Sequence, residues 1–235
     1  MTPSTNSSIT DRDVRQRSIV PPERLAACHA LVIGVGAIGR QVALQLAALG
    51  VPRLTLFDDD EVGVENLAPH GYWPEDLGTS KVLSTLALCR RINPESQITA
   101  HAERFKRSTT KQLPDEGQLI MFACVDSIAT RRLVWESLRF RAALFVDGRM
   151  SAEVLRVIAV ASPGSDRYYA TTLFEAAEGY TGLCTARSTI YTASIAAGFM
   201  IGQMTKWLRG LPVDPDLTLN LLSAELTAMD KPAGS

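Results

Sequence analysis

The sequence predicts an α/β protein: a mostly parallel sheet with helices on both faces, extended by antiparallel strands in the C-terminal half. Three observations predict it. Between residues 30 and 146, short apolar runs alternate with amphipathic stretches of helical length, the pattern of repeated βα units. Gly34-Val-Gly-Ala-Ile-Gly39 stands where the first run meets the first helical stretch. After Gly148 the alternation stops, and the remaining strands are interrupted by one long helix.

The elements follow in order. Residues 1–10 are polar and low in complexity, and are expected to be a disordered tail ahead of a single domain over 11–235. Residues 11–17 can start a short helix. Pro21-Pro22-Glu23 opens a second, because proline suits a first helical turn. Residues 30–33 read as a buried parallel strand ending in glycines. Residues 37–49 read as a helix stopped by Gly50, and 53–57 as the second strand. Residues 58–77, rich in turn formers and aromatics, read as a long loop, and 78–92 as a helix closed by Asn93-Pro94. A strand over 97–101, a short helix over 108–113, a strand over 118–124, a helix over 127–140 and a strand over 143–146 complete the alternation. Beyond it come a strand over 152–161, a mobile segment over 166–182, a helix over 185–208 and one or two strands over 217–226.

Composition excludes several function classes. Apolar residues make up 46% and charged residues 21% of 235, which suits an ordinary globular chain able to bury a core. A formal net charge of -1 gives no electrostatic ground for nucleic-acid or membrane binding. The apolar run 190–204 is too short and too rich in small and polar residues to span a bilayer. The first 13 residues lack the apolar core of a signal peptide, so a cytoplasmic protein is expected. Four cysteines contain no CxxC pair, so no zinc is expected.

The glycines point to a Rossmann-like phosphate turn: Gly34, Gly36 and Gly39 let a phosphate approach backbone N–H groups at a helix start. Asp58 follows Gly39 by about 20 residues, where an acid holds a ribose hydroxyl, and this serves NAD or the adenosine of ATP alike. Further acids and Lys81 are surplus for NAD. A triphosphate with magnesium makes better use of carboxylates and a lysine on one loop, with Asp59 and Glu61 left as solvated loop face.

In order, the chain carries Arg15-Gln16, GVGAIG, a strand ending D-x-D, V-x-x-x-N-L, G-x-x-K, Asn-Pro, and C-x-D-S with a downstream arginine. As an ordered set these motifs resemble the ThiF/MoeB/HesA superfamily, the adenylating domain of ubiquitin-activating enzymes, over residues 11–210. The resemblance implies an adenylyltransferase that uses ATP and Mg²⁺ to activate the C-terminal carboxylate of a small ubiquitin-like or sulfur-carrier protein. By position it implies that Gly34, Gly36 and Gly39 line the nucleotide, Asp58 holds the ribose, and Asp60 and Asn66 stand in the pocket. Lys81 would contact phosphates and Asp126 would bind Mg²⁺. Arg15 would act in trans within a homodimer. The residues also admit blander roles: Lys81 as a surface lysine, Asp126 as a helix cap, Arg15 as part of a tail.

Three departures qualify the likeness. Where relatives commonly carry arginine and glutamine after the Asn-Leu pair, this chain has Pro69 and His70, and proline cannot replace a guanidinium; Arg149 is one candidate to compensate. The two zinc-binding CxxC pairs of many relatives are absent, with Tyr168-Tyr169 near the place of the first. The chain lacks the separate cysteine and ubiquitin-fold domains of the large eukaryotic enzymes, which suggests the compact bacterial type. Cys184, ahead of the long helix, matches a cysteine that links covalently to the carrier in some relatives, and a thiol there has a lowered pKa. It reads equally as catalytic or structural. Cys28, Cys89 and Cys124 read as buried hydrophobes. The competing functions are an NAD-dependent oxidoreductase and a non-catalytic subunit that binds a ubiquitin-like protein.

Overall fold

Parallel strands come first in the chain: β1 (Cys28–Ile33), β2 (Arg53–Phe57), β3 (Gln97–His101), β4 (Gln118–Ala123) and β5 (Ala142–Ser151). The later strands β6 (Val154–Ala161), β7 (Asp216–Asn220) and β8 (Glu225–Ala228) pair antiparallel, giving one eight-stranded sheet in the order β3-β2-β1-β4-β5-β6-β7-β8. This computed structural model describes residues 12–113, 117–173 and 188–229. The expected fold class is therefore observed.

The pleat divides the core. Cys28, Ala30 and Val32 of β1 face one side of the sheet, and Leu31 and Ile33 face the other. On the first side pack α2 (Ala37–Leu49), α4 (Lys81–Ile92) and α7 (Ile190–Leu208). On the second packs α5 (Ile128–Leu138) through Val134, Trp135 and Leu138. Each fully buried aliphatic or aromatic side chain contributes about 1.5–3 kcal/mol before conformational entropy is counted. Strand order reverses between β1 and β4. The chain leaves β1 towards β2 and β3, then crosses back to β4 on β1's other edge, which opens a crevice at the C-terminal ends of these two strands.

Several expected elements differ. Residues 12–19 form successive turns rather than a helix, and α1 spans Pro22–Ala26. The expected loop 58–77 contains α3 (Val64–His70), with Pro69 inside it. A proline late in a short helix costs one intrahelical bond, and the helix stops at once at Gly71, whose φ is 71°. α4 starts at Lys81 rather than at Gly78, whose φ of 74° is incompatible with a right-handed turn. β5 runs on through Asp147-Gly148-Arg149 instead of ending at Val146. The segment expected to be mobile holds the short helix α6 (Tyr168–Thr171), while 174–182 lie outside the described residues.

Candidate functional site

The glycine turn opens directly onto the crevice. Gly34 sits at φ 85°, and a Cβ there would lie 2.7 Å from the Cys124 carbonyl oxygen, so only glycine lets the tips of β1 and β4 come so close. Gly39 works from behind: its Cβ would lie 1.8 Å from the Gly34 carbonyl oxygen, so this glycine permits α2 to pack on the turn and is not among the cleft-lining residues. Gly36 caps the N-terminus of α2 and faces open space apart from the His70 ring.

A cleft of about 570 Å³ extends from this turn. Its walls include Gly34, Gly36, Asp58, Asp60, Asn66, Lys81 and Asp126, so seven sequence-nominated residues converge there. Asp58, at the end of β2, accepts hydrogen bonds from the Val35 N–H at 2.7 Å and the Asp60 N–H at 2.9 Å. Burial raises its pKa above the ordinary carboxylate value, against these two bonds and the nearby Lys81. A carboxylate offers about four lone-pair sites, so two remain for hydroxyl donors.

Lys81 is not a surface lysine. It opens α4 with 7% exposure, and its Nζ reaches the exposed Asp60 carboxylate at 2.8 Å. Asn66 is buried and its Oδ1 accepts from the Gly63 N–H at 2.9 Å, bracing the start of α3. Asp126 stands exposed beyond the tip of β4 and is not the cap of α5; Ser127 is, accepting from the Thr130 N–H. Asp59 is solvent-facing and pairs with Arg104 at 3.2 Å; Glu61 is exposed as expected.

Sequence reasoning missed part of the wall. Arg104 and Thr130 line the cleft with no motif to mark them. Arg131 is the arginine downstream of C-x-D-S. It is almost fully buried, ion-pairs with Asp147, and donates to the carbonyls of Val125 and Gly148, tying the tips of β4 and β5 together beneath Asp126. Arg149 does not compensate at the cleft for Pro69. Its guanidinium is taken by Asp147 at 2.8 Å and by Thr172. The Tyr169 hydroxyl completes this cluster by donating to Asp147 at 2.9 Å, and Tyr168 donates to Asp216 at 2.6 Å.

Of the cysteines, Cys28, Cys89 and Cys124 are free, and burial pushes their thiols up to about 11, 12 and 12. Cys28 and Cys89 are buried hydrophobes as expected, whereas Cys124 is only half-buried and lines the cleft. Cys184 lies outside the described residues. Arg15 is exposed and remote from the cleft: its neighbours Arg12 and Gln16 bond the carbonyls of Ala47, Ala48 and Leu49 at the C-terminal end of α2. That end lies about 20 Å along the helix from the glycine turn, at about 1.5 Å per residue. No helix among the described residues is long and apolar enough to cross a membrane.

A nucleoside triphosphate fits this donor set. The volume suits a drug-sized ligand, the glycine turn leaves room for phosphate, and a buried ammonium points into the same space as carboxylates able to take hydroxyls or a hard cation.

The chain is 36% identical over 126 residues to adenylyltransferase and sulfurtransferase MOCS3 of Sus scrofa, covering 50% of this chain and 28% of that protein. It is 32% identical over 111 residues to the sulfur carrier protein ThiS adenylyltransferase of Escherichia coli K12, covering 47% and 44%. To ubiquitin-like modifier-activating enzyme 5 of Caenorhabditis elegans it is 26% identical over 205 residues, covering 79% and 49%. The chain thus spans about half or less of the length of these relatives. Among solved structures, PaaA superposes with a TM-score of 0.77 at 19% identity over 98% of this chain and 76% of its own. E. coli MccB in complex with ATP gives 0.69 at 14% identity, over 88% and 65%. These likenesses show the shared fold. The model of the ThiF family matches residues 11–233, and the chain belongs to that family.

Proposed function

We propose that the protein is an ATP-dependent adenylyltransferase that activates the C-terminal carboxylate of a small ubiquitin-like or sulfur-carrier protein. One observation carries the reading: Lys81, nearly fully buried, delivers its ammonium to the same cleft as the glycine turn and Asp126. In the reaction a carboxylate oxygen attacks the α-phosphorus of ATP. The bond from that phosphorus to the bridging oxygen breaks, leaving an acyl-adenylate and pyrophosphate. The attacking group and the triphosphate repel one another, so the protein's task is to position them and compensate charge.

In this reading the Gly36 turn receives phosphate, Asp58 orients the ribose, and Lys81 exchanges its bond to Asp60 for phosphate oxygens. Asp126 would hold Mg²⁺, which supplies neutralisation of the phosphate charge. The proposed optional second step passes the acyl group to the Cys184 thiol: a thioester forms as the acyl–phosphate bond breaks and AMP leaves. Arg15, far from its own cleft, serves only as a contribution to the partner's site in a homodimer. A non-catalytic subunit is the second reading, and the loss of a guanidinium at Pro69 is the observation that favours it.

The test is ATP–pyrophosphate exchange with magnesium, using each small ubiquitin-fold protein encoded beside this one. Substrate-dependent exchange is expected. Asp126→Ala should abolish it, and Lys81→Ala should lower it by about 10²–10³-fold, the usual cost of one charge-stabilising donor. Lys81→Ala should still fold, because the Asp60 it leaves unpaired is exposed. ATP binding without exchange for any candidate selects the non-catalytic reading.

A further inference from the structure

Pro69 stands where the family resemblance implies an arginine, and the residue after it lines the cleft. His70, the last residue of α3, lines the cleft, and a Cβ on Gly36 would lie 3.8 Å from its Cε1, so the ring lies over the glycine turn. Its Nδ1 is buried and has no hydrogen-bond partner. Behind it lies Arg40 of α2, 1% exposed, with its guanidinium 4.0 Å from the Tyr72 ring centroid. Arg40 donates to the Gly71 carbonyl at 3.1 Å and the Thr85 hydroxyl at 3.4 Å, its Nε is unpartnered, and no carboxylate pairs with it among the described residues. An unneutralised buried cation therefore sits close behind an imidazole that faces the place for phosphate.

We propose that His70 is a phosphate-contacting residue of the nucleotide site that binds a proton from solvent as the anion enters, so that an imidazolium replaces the guanidinium missing at Pro69. This rests on the reading of the cleft as an ATP site. The surroundings explain why the charge is conditional. Burial, then Lys81 of α4 and Arg40 of α2, push His70 down to about 4, against weaker opposition from Glu65 on its own helix and Asp60 on the loop. Tyr72 faces the ring at 6.1 Å with its own pKa raised to about 12 by burial, and the apolar Ile190 of α7 lies near Gly71. A triphosphate brings several negative charges to this point and reverses the balance.

The experiment is calorimetric titration of the full chain with ATP and Mg²⁺ at pH 6.0, in two buffers of different ionisation enthalpy, for wild type and His70→Gln. Wild type is expected to take up about one proton more than the variant, because pH 6.0 lies between the free and bound titrations. Its ATP affinity should rise by up to about tenfold per pH unit of acidification, while the variant's changes little. The chain has three histidines, so the ring proton of His70 can be assigned by its loss in the variant. Its titration should move from about 4 towards neutrality when ATP is added. ATP binding with equal proton uptake in both proteins, or a His70 titration unmoved by ATP, overturns this role and leaves the nucleotide site standing. Absence of ATP binding overturns both.

Discussion

At the scale of residues, charge is placed where a nucleotide would repay its cost. Lys81 and Arg40 are held out of water, one opposite an exposed carboxylate and the other with none. Two histidines record the same expense: His29, paired with Thr55 at 2.8 Å, and His70 are both lowered, chiefly by burial. The sign follows from proton binding. Below about 6.5 the unfolded chain protonates these rings while the folded protein refuses the proton, so stability falls as pH drops from about 6.5 towards 4. Urea unfolding at pH 7 and pH 5 should show a lower midpoint at pH 5 for wild type. The difference should shrink in His70→Gln and persist in part through His29. An equal difference in both proteins would mean that His70 is solvated when free.

At the scale of elements, glycines and alanines have separate duties along α7. Ala193, Ala196 and Ala197 are buried in the core on the side where α7 packs against α2, as simple core packing predicts. Gly198 and Gly202 are exposed, and a Cβ on either meets nothing within 4 Å. Nothing within this chain thus requires glycine there, and each glycine costs helix stability. Gly198→Ala and Gly202→Ala should each stabilise the protein by about 0.5–1 kcal/mol in chemical denaturation. Destabilisation that grows with protein concentration would reveal a second copy seated on that face.

At the scale of the whole molecule, the position of Arg15 makes a quantitative demand. It stands beside the far end of α2 from the glycine turn. If it acts, it acts on another copy. Mixing Arg15→Ala with Asp126→Ala, each inactive alone, should restore about a quarter of wild-type exchange, because half of randomly formed dimers carry one intact site of two. No recovery after verified subunit exchange would remove Arg15 from the site.

The sequence by itself determined the βα alternation, the span of α2 and β2, and the place of Gly34, Gly36 and Asp58 in the cleft, because periodicity, glycine and the acid after a strand are local signals; Asp60, Asn66, Lys81 and Asp126 were placed there by the family resemblance. It misread what depends on distant partners. The strand expected over 143–146 stops short of Asp147, since a charge interrupts an apolar run; β5 continues because Arg131, Arg149 and Tyr169 neutralise and bond that carboxylate inside the fold. Lys81 read as a possible surface lysine until the β2–α4 connection buried it against Asp60. The buried Arg40, with no carboxylate partner among the described residues, left no sequence signal, and Arg149 is engaged by Asp147 and Thr172 rather than standing in for the missing guanidinium. Local chemistry is written in neighbouring residues. Which charge is buried, and against what, is settled only when elements far apart in the chain close on one another.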